Sequence, residues 1–203
     1  MEISVANIVP VTEAEGPGKR FAIWFQGCPL RCAHCCNPEM LAFRDDIGSP
    51  LSDVLDQVDE AITAHQIEGI TLLGGEPFAH CESAAALASA AQEKDLSVMV
   101  FSGYTLAQIH DLADPFAAKL LQGIDILVDG TYDAEKPDQH RRWIGSTNQE
   151  IHFLTDRYAA TDSCWQQPDS LEIRFDGGEL AVNGFPAKSG AGFWKRLPRS
   201  KKT

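Results

Sequence analysis

Nowhere does the 203-residue chain hold an uninterrupted apolar run near the roughly 20 residues that a membrane-spanning helix needs. The stretch from Met1 to Pro10 has no basic segment followed by an apolar one, so no leader is expected and the reading is of a cytoplasmic protein with no membrane partner. Positive charge is also scarce. Lys and Arg total 17 against 29 Asp and Glu, and the formal charge of −12 opposes the phosphate neutralisation on which nucleic-acid affinity depends. No nucleic-acid partner is expected. With 44% hydrophobic residues the chain can bury a core of its own and has no need of disulfide staples.

The cysteines are few and unevenly placed. Cys28, Cys32, Cys35 and Cys36 fall within nine residues, while Cys81 and Cys164 stand alone. Thiols three or four residues apart bridge one another only with strain, but a loop can fold them around a common centre, so the crowding suits metal ligation. The pattern C-x-x-x-C-x-x-C from Cys28 to Cys35 supplies three of the four ligands that a cubane iron-sulfur cluster takes, leaving one iron open for chemistry. A zinc site completed by His34, His80 or Cys36 uses the same ligand types. On spacing alone both remain open.

Around this loop the chain alternates strand and helix patterns. Arg20 to Gln26 (Arg-Phe-Ala-Ile-Trp-Phe-Gln) reads as a strand between Gly16-Pro17-Gly18 and Gly27. Leu51, Val54, Leu55, Val58 and Ile62 recur at helical spacing, with Ser52 placed to cap. Gly69 to Leu73 reads as a buried strand ending at Gly74-Gly75, and the alanine-rich run from Glu82 to Lys94 as a helix. Leu96 to Phe101 and Ile124 to Val128 are further strands, with a capping box at Thr105 and Gln108 between them. Such alternation implies parallel βαβ units, hence an α/β sheet or an open barrel, with function at the carboxyl ends of its strands. Beyond about Arg157 the pattern changes. Leu171 to Phe175 and Glu179 to Val182 flank Asp176-Gly177-Gly178 as a β-hairpin, and Pro198 to Thr203 is a polar, basic tail.

Two motifs in one order carry a resemblance. Cys28-Pro29-Leu30-Arg31-Cys32-Ala33-His34-Cys35, followed by Gly74-Gly75-Glu76-Pro77, resembles the radical SAM superfamily. Gly27-Cys28, Asn37-Pro38, Ser102-Gly103-Tyr104, the run Asp125 to Gly130 and Gly145-Ser146-Thr147-Asn148-Gln149 are together similar to the activating proteins of anaerobic ribonucleotide reductase, over roughly residues 3 to 155. The chain departs from that family's pattern at Ile144, where arginine is usual and Arg141 and Arg142 stand slightly earlier, at His34, where an aromatic residue is common, and in an extra stretch from about Ala159 to Pro186.

The resemblance implies an open partial (β/α) barrel over residues 1–158, with residues 159–203 as a C-terminal appendage bearing the hairpin. It implies one [4Fe-4S] cluster on Cys28, Cys32 and Cys35, whose open iron is chelated by S-adenosylmethionine (SAM). Gly74, Gly75, Glu76 and Pro77 would bind the SAM amino group through their backbone, and His34 would lie with its backbone near the adenine. Ser102 and Gly103 either contact the ribose or methionine part of SAM or simply end a strand. Asp129 ends a buried strand and needs a partner, a cofactor, cation or substrate. Arg142 either meets an incoming backbone or is a solvated charge. Cys36, adjacent to a ligand, and Cys81 and Cys164 have no assigned role.

The activity so implied is reductive cleavage of SAM to a 5′-deoxyadenosyl radical that generates a glycyl radical on a partner enzyme. With no second cluster motif in the sequence, an external one-electron donor such as a flavodoxin is implied. A radical SAM enzyme acting on a small molecule or peptide, of the 7-carboxy-7-deazaguanine synthase kind, is the second reading. A zinc-binding interaction module is the third.

Overall fold

The computed structural model describes residues 1–44, 46–176 and 179–185. The expected turn at Gly177-Gly178 and the basic tail lie outside the described residues. Among those described, the order is β1 (Glu2–Ile3), β2 (Val5–Thr12), β3 (Arg20–Phe25), β4 (Ser49–Pro50), α1 (Leu51–His65), β5 (Gly69–Gly74) and α2 (Cys81–Glu93). There follow β6 (Ser97–Phe101), α3 (Leu106–His110), α4 (Ala117–Gln122), β7 (Ile126–Asp129), β8 (Glu150–Phe153), β9 (Leu171–Asp176) and β10 (Glu179–Gly184).

The fold is mixed α/β around one sheet of order β2-β3-β5-β6-β7-β8. Strands β3, β5, β6 and β7 run parallel, and the edges β2 and β8 are antiparallel to their neighbours. The parallel strands are buried on both faces and therefore read in the sequence as continuous apolar runs. Alternate residues divide between two layers. Phe21, Ile23, Phe25, Ile70, Leu72, Val98, Val100 and Leu127 pack under the helices against Val54 and Val58 of α1 and the alanines of α2. On the other face Ala22, Trp24 and Leu73 form one cluster, and Met99, Ile126 and Val128 form another with Trp143 and Ile144.

Helix α1 begins at Leu51 with Pro50 at its N-cap, and Ser52 donates its hydroxyl to Asp53 instead of capping. The reason is local: the first helical N–H, that of Leu51, donates to the Met1 carbonyl, so an orphan donor of the first turn is already satisfied. The capping box at Thr105 and Gln108 is present in full. The edge strands β2 and β8 and the six-residue α4 had no clear pattern in the sequence. Strands β9 and β10 pair antiparallel with Asp176 opposite Glu179.

At the amino ends of the parallel strands a fully buried guanidinium replaces apolar packing. Arg20 donates to Thr71 Oγ1, to Ser97 Oγ and to the carbonyls of Pro17, Ile70 and Ser97. Gly69 makes the room, since a Cβ there would stand 2.6 Å from Nη1 of Arg20. Beside it Glu15, also buried, accepts from Asn183 of β10, which donates to Thr12 as well. This polar seam joins the hairpin to the sheet. Arg20→Leu leaves buried carbonyl acceptors without donors, and a loss of roughly 2–4 kcal/mol is expected in urea denaturation. A loss under about 1 kcal/mol would mean that water replaces the guanidinium there.

Candidate functional site

At its carboxyl end β3 delivers Gln26, Gly27 and Cys28, and a closed loop follows. The Gly27 and Cys28 N–H groups donate to the carbonyls of Met40 and Leu41, and the Gln26 side chain donates to those of Glu39 and Ala42. Residues 28 to 42 thus return to their starting point. Inside the loop Arg31 and His34 take positive φ, +48° and +60°, which wraps the chain between the cysteines. None of the six cysteines is in a disulfide. Cys28 is buried, Cys32 and Cys35 are half-buried and Cys36 is exposed. The Cys35 sulfur accepts from the Asn37 N–H. Burial pushes the Cys28 thiol up, so ligation there would release a proton to the bulk.

The second motif lies against the first. Gly75 N donates to Phe25 O and Glu76 N to Gly27 O, at 2.8 and 3.0 Å. Only glycine permits the approach: a Cβ on Gly75 would stand 2.4 Å from Gly27 O, and Gly74 has a φ of +102°. The third loop joins through Glu76. Its carboxylate accepts from Phe78 N, from the Ser102 hydroxyl and from Gly103 N, at 2.8–2.9 Å. Burial pushes its pKa up to about 7 against the opposing pull of those three donors. Gly103 in turn abuts Leu30 of the cysteine loop. Cys28, Gly74, Gly75, Glu76, Pro77, Ser102 and Gly103 are therefore brought together, over an apolar patch of Trp24, Leu73, Met40 and Phe101.

Other expected residues fall elsewhere. Asp129 has the same strand parity as Leu127, which packs under the helices, and its carboxylate accepts from Leu106 N at the start of α3. Arg142 lies over the Trp143 ring, 4.0 Å from its centroid, and donates to Cys164 O. Arg141 takes up the structural task near the Gly-Ser-Thr-Asn-Gln segment, donating to the carbonyls of Gln149, Ser146 and Thr147. Buried Cys81 donates to Phe78 O, and its thiol is pushed up to about 12. Cys164 packs with the Trp143 cluster. Tyr132, which belongs to no motif, also borders the loop: burial and the neighbouring Cys36, Asp133 and Cys35 push its hydroxyl pKa up.

The donor set at the loop fits a cluster better than a single ion. Zinc at about 2.3 Å from each sulfur draws its thiolates to within roughly 4.6 Å of one another. Among the described residues, the one His/Cys/Asp/Glu group with ligand atoms within 4.8 Å of one another contains no cysteine. A cubane places its thiolates on separate irons, farther apart. His34 is exposed, and His80 stacks on Phe25 at 5.4 Å between ring centroids.

With Glu76 at about 7 when folded and 4.5 as a free carboxyl, the folded chain keeps a proton that the unfolded chain releases. Its contribution to stability is complete below about pH 4.5 and falls as the pH rises towards 7. Glu15, likewise raised to about 7 by burial, adds the same trend. Thermal melts between about pH 5 and 8 are expected to show Tm falling with pH, less steeply in Glu76→Gln. An equal slope in that variant would remove Glu76 as a source.

A family model described as a 4Fe-4S single cluster domain matches residues 14–152. The chain is 31% identical over 153 residues to the anaerobic ribonucleoside-triphosphate reductase-activating protein of Pasteurella multocida, covering 72% of this chain and 94% of that one. To its namesake in Vibrio cholerae it is 30% identical over 153 residues, covering 72% and 95%. The solved structure of QueE from Escherichia coli aligns at 19% identity with a TM-score of 0.45, over 52% of this chain and 54% of that one, a likeness too partial to bear on function.

Proposed function

The chain belongs to the family of the anaerobic ribonucleoside-triphosphate reductase-activating proteins and to the 4Fe-4S single cluster domains, and from that premise we propose that it is a radical SAM activase of a glycyl-radical enzyme. The observation that carries this reading is the backbone contact between the Gly74–Glu76 turn and Gly27, which sets a glycine turn beside the first cysteine.

In this reading Cys28, Cys32 and Cys35 hold the [4Fe-4S] cluster and leave one iron open for the amino and carboxylate groups of SAM. When bound, a reduced cluster and SAM would supply a 5′-deoxyadenosyl radical by one-electron cleavage of the sulfonium carbon–sulfur bond, for hydrogen abstraction from a backbone glycine of the partner.

The chain's own residues do the positioning. Backbone groups of Gly74, Gly75, Glu76 and Pro77 would bind the SAM amino group, a close approach that glycine permits. The Glu76 carboxylate, pointing away from its backbone, fixes Ser102 and Gly103 relative to that turn. The His34 backbone lies at the adenine end. Trp24, Leu73 and Met40 form an apolar patch that excludes water from the loop's inner side.

The sheet serves as an open partial barrel over residues 1–158, with residues 159–203 as an appendage. An open barrel suits a macromolecular partner, here an anaerobic ribonucleotide reductase, better than a closed small-molecule pocket. The electron comes from an external donor such as a flavodoxin. The net charge of −12 argues against a nucleic-acid substrate, and among the described residues no helix is long and apolar enough to cross a membrane.

Anaerobic reconstitution with iron and sulfide, reduction by dithionite and assay of 5′-deoxyadenosine formed from SAM tests the reading. The native protein is expected to form the product and Cys32→Ala to form none. A colourless protein that binds one zinc and forms no 5′-deoxyadenosine would overturn it.

A further inference from the structure

Away from the cysteine loop, the end of the sheet presents a second set of metal-ligating groups. Strand β8 pairs with β7 in a register that sets Glu150 opposite Asp129 and His152 opposite Leu127. Glu150 and His152 are two apart on one strand, so both project to the face that carries Asp129. Two carboxylates thus stand directly across from each other, an arrangement that is destabilising in a bare antiparallel pair. The ligand atoms of Asp129, Glu150 and His152 lie within 4.8 Å of one another.

The imidazole sharpens the case. His152 Nε2 is 3.0 Å from Asp129 Oδ2, an ion pair when the imidazole is protonated, but among the described residues this buried atom makes no hydrogen bond. The same Asp129 oxygen already accepts from Leu106 N, so it is poorly placed to satisfy the imidazole as well. One imidazole and two carboxylates whose ligand atoms converge are a ligand set for a cation, and imidazole with carboxylates suits a first-row transition metal better than calcium or magnesium. Glu150 is exposed and opens the set to solvent.

We propose that Asp129, Glu150 and His152 bind one divalent transition-metal ion, separate from the cluster, at the carboxyl end of β7 and the amino end of β8. The ion offsets the Asp129–Glu150 repulsion and fastens edge strand β8, which among the described residues pairs with β7 alone. Because Asp129 also holds the first N–H of α3, the ion ties the edge of the sheet to the helix that follows the Ser102–Tyr104 loop. No bond is made or broken in the substrate by this ion; its task is positional.

Manganese(II) is the probe. Cluster-reconstituted, oxidised protein has its loop cysteines occupied and an EPR-silent cluster, so the six-line signal of free manganese reports binding elsewhere. The native protein is expected to remove about one equivalent from the free signal. Glu150→Gln and His152→Asn, each shown by visible absorbance and circular dichroism to be folded and loaded, are expected to lose that uptake. Undiminished free signal with the native protein, or native uptake in either folded variant, overturns the proposal. Should His152→Asn fail to fold, the exposed Glu150→Gln decides alone.

Discussion

Two backbone hydrogen bonds, Gly75 N to Phe25 O and Glu76 N to Gly27 O, set the arrangement of everything at the rim. They require the chain after β5 to come within van der Waals contact of the chain after β3, and any side chain at Gly75 would collide with the Gly27 carbonyl. Once that contact exists, the entry to the cysteine loop is fixed relative to the glycine turn. Glu76, the next residue, is driven inward, where its carboxylate gathers the donors of Ser102 and Gly103 from the end of β6. Three strand ends are thereby locked into one surface by main-chain geometry and one buried acid. Burial of that acid has a thermodynamic cost, visible in its raised pKa.

The two ends of the sheet divide stability from chemistry. At the amino ends Arg20 reaches β5 and β6 through side-chain donors, and Glu15 with Asn183 holds the hairpin strand β10. At the carboxyl ends the loops are longer, and beyond buried Cys28 the loop's Cys32, Cys35 and Cys36 reach towards solvent. A site that admits a partner's backbone needs that asymmetry, since the rim must stay open while the sheet beneath it remains fixed. In parallel α/β architectures this division is general.

Much of this was legible in the amino-acid sequence, for definite reasons. β3, β5, β6 and β7 are buried on both faces and so read as apolar runs, and the glycines at their ends marked the rim. β2 and β8 did not stand out. β2 contains Asn7 and Pro10 and is half-covered, and β8 has four residues with an acid and a histidine among them. The side to which Asp129 projects depends on register parity, which its position at the end of a strand does not reveal. The same limit hid the partnership of Asp129 with Glu150 and His152, because twenty residues separate them and only pairing brings them together. A buried Arg20 was equally invisible, since its donors are satisfied by groups from three segments of the chain.

The central claim is that the cysteine loop and the Gly74–Glu76 turn form one site. EPR of the dithionite-reduced, reconstituted protein with and without SAM tests it directly, comparing the native chain with Gly75→Ala. The expected result is a cluster signal in both, shifted by SAM in the native protein and unresponsive in the variant. A SAM-induced shift of equal size in Gly75→Ala, or none in the native protein, would contradict it.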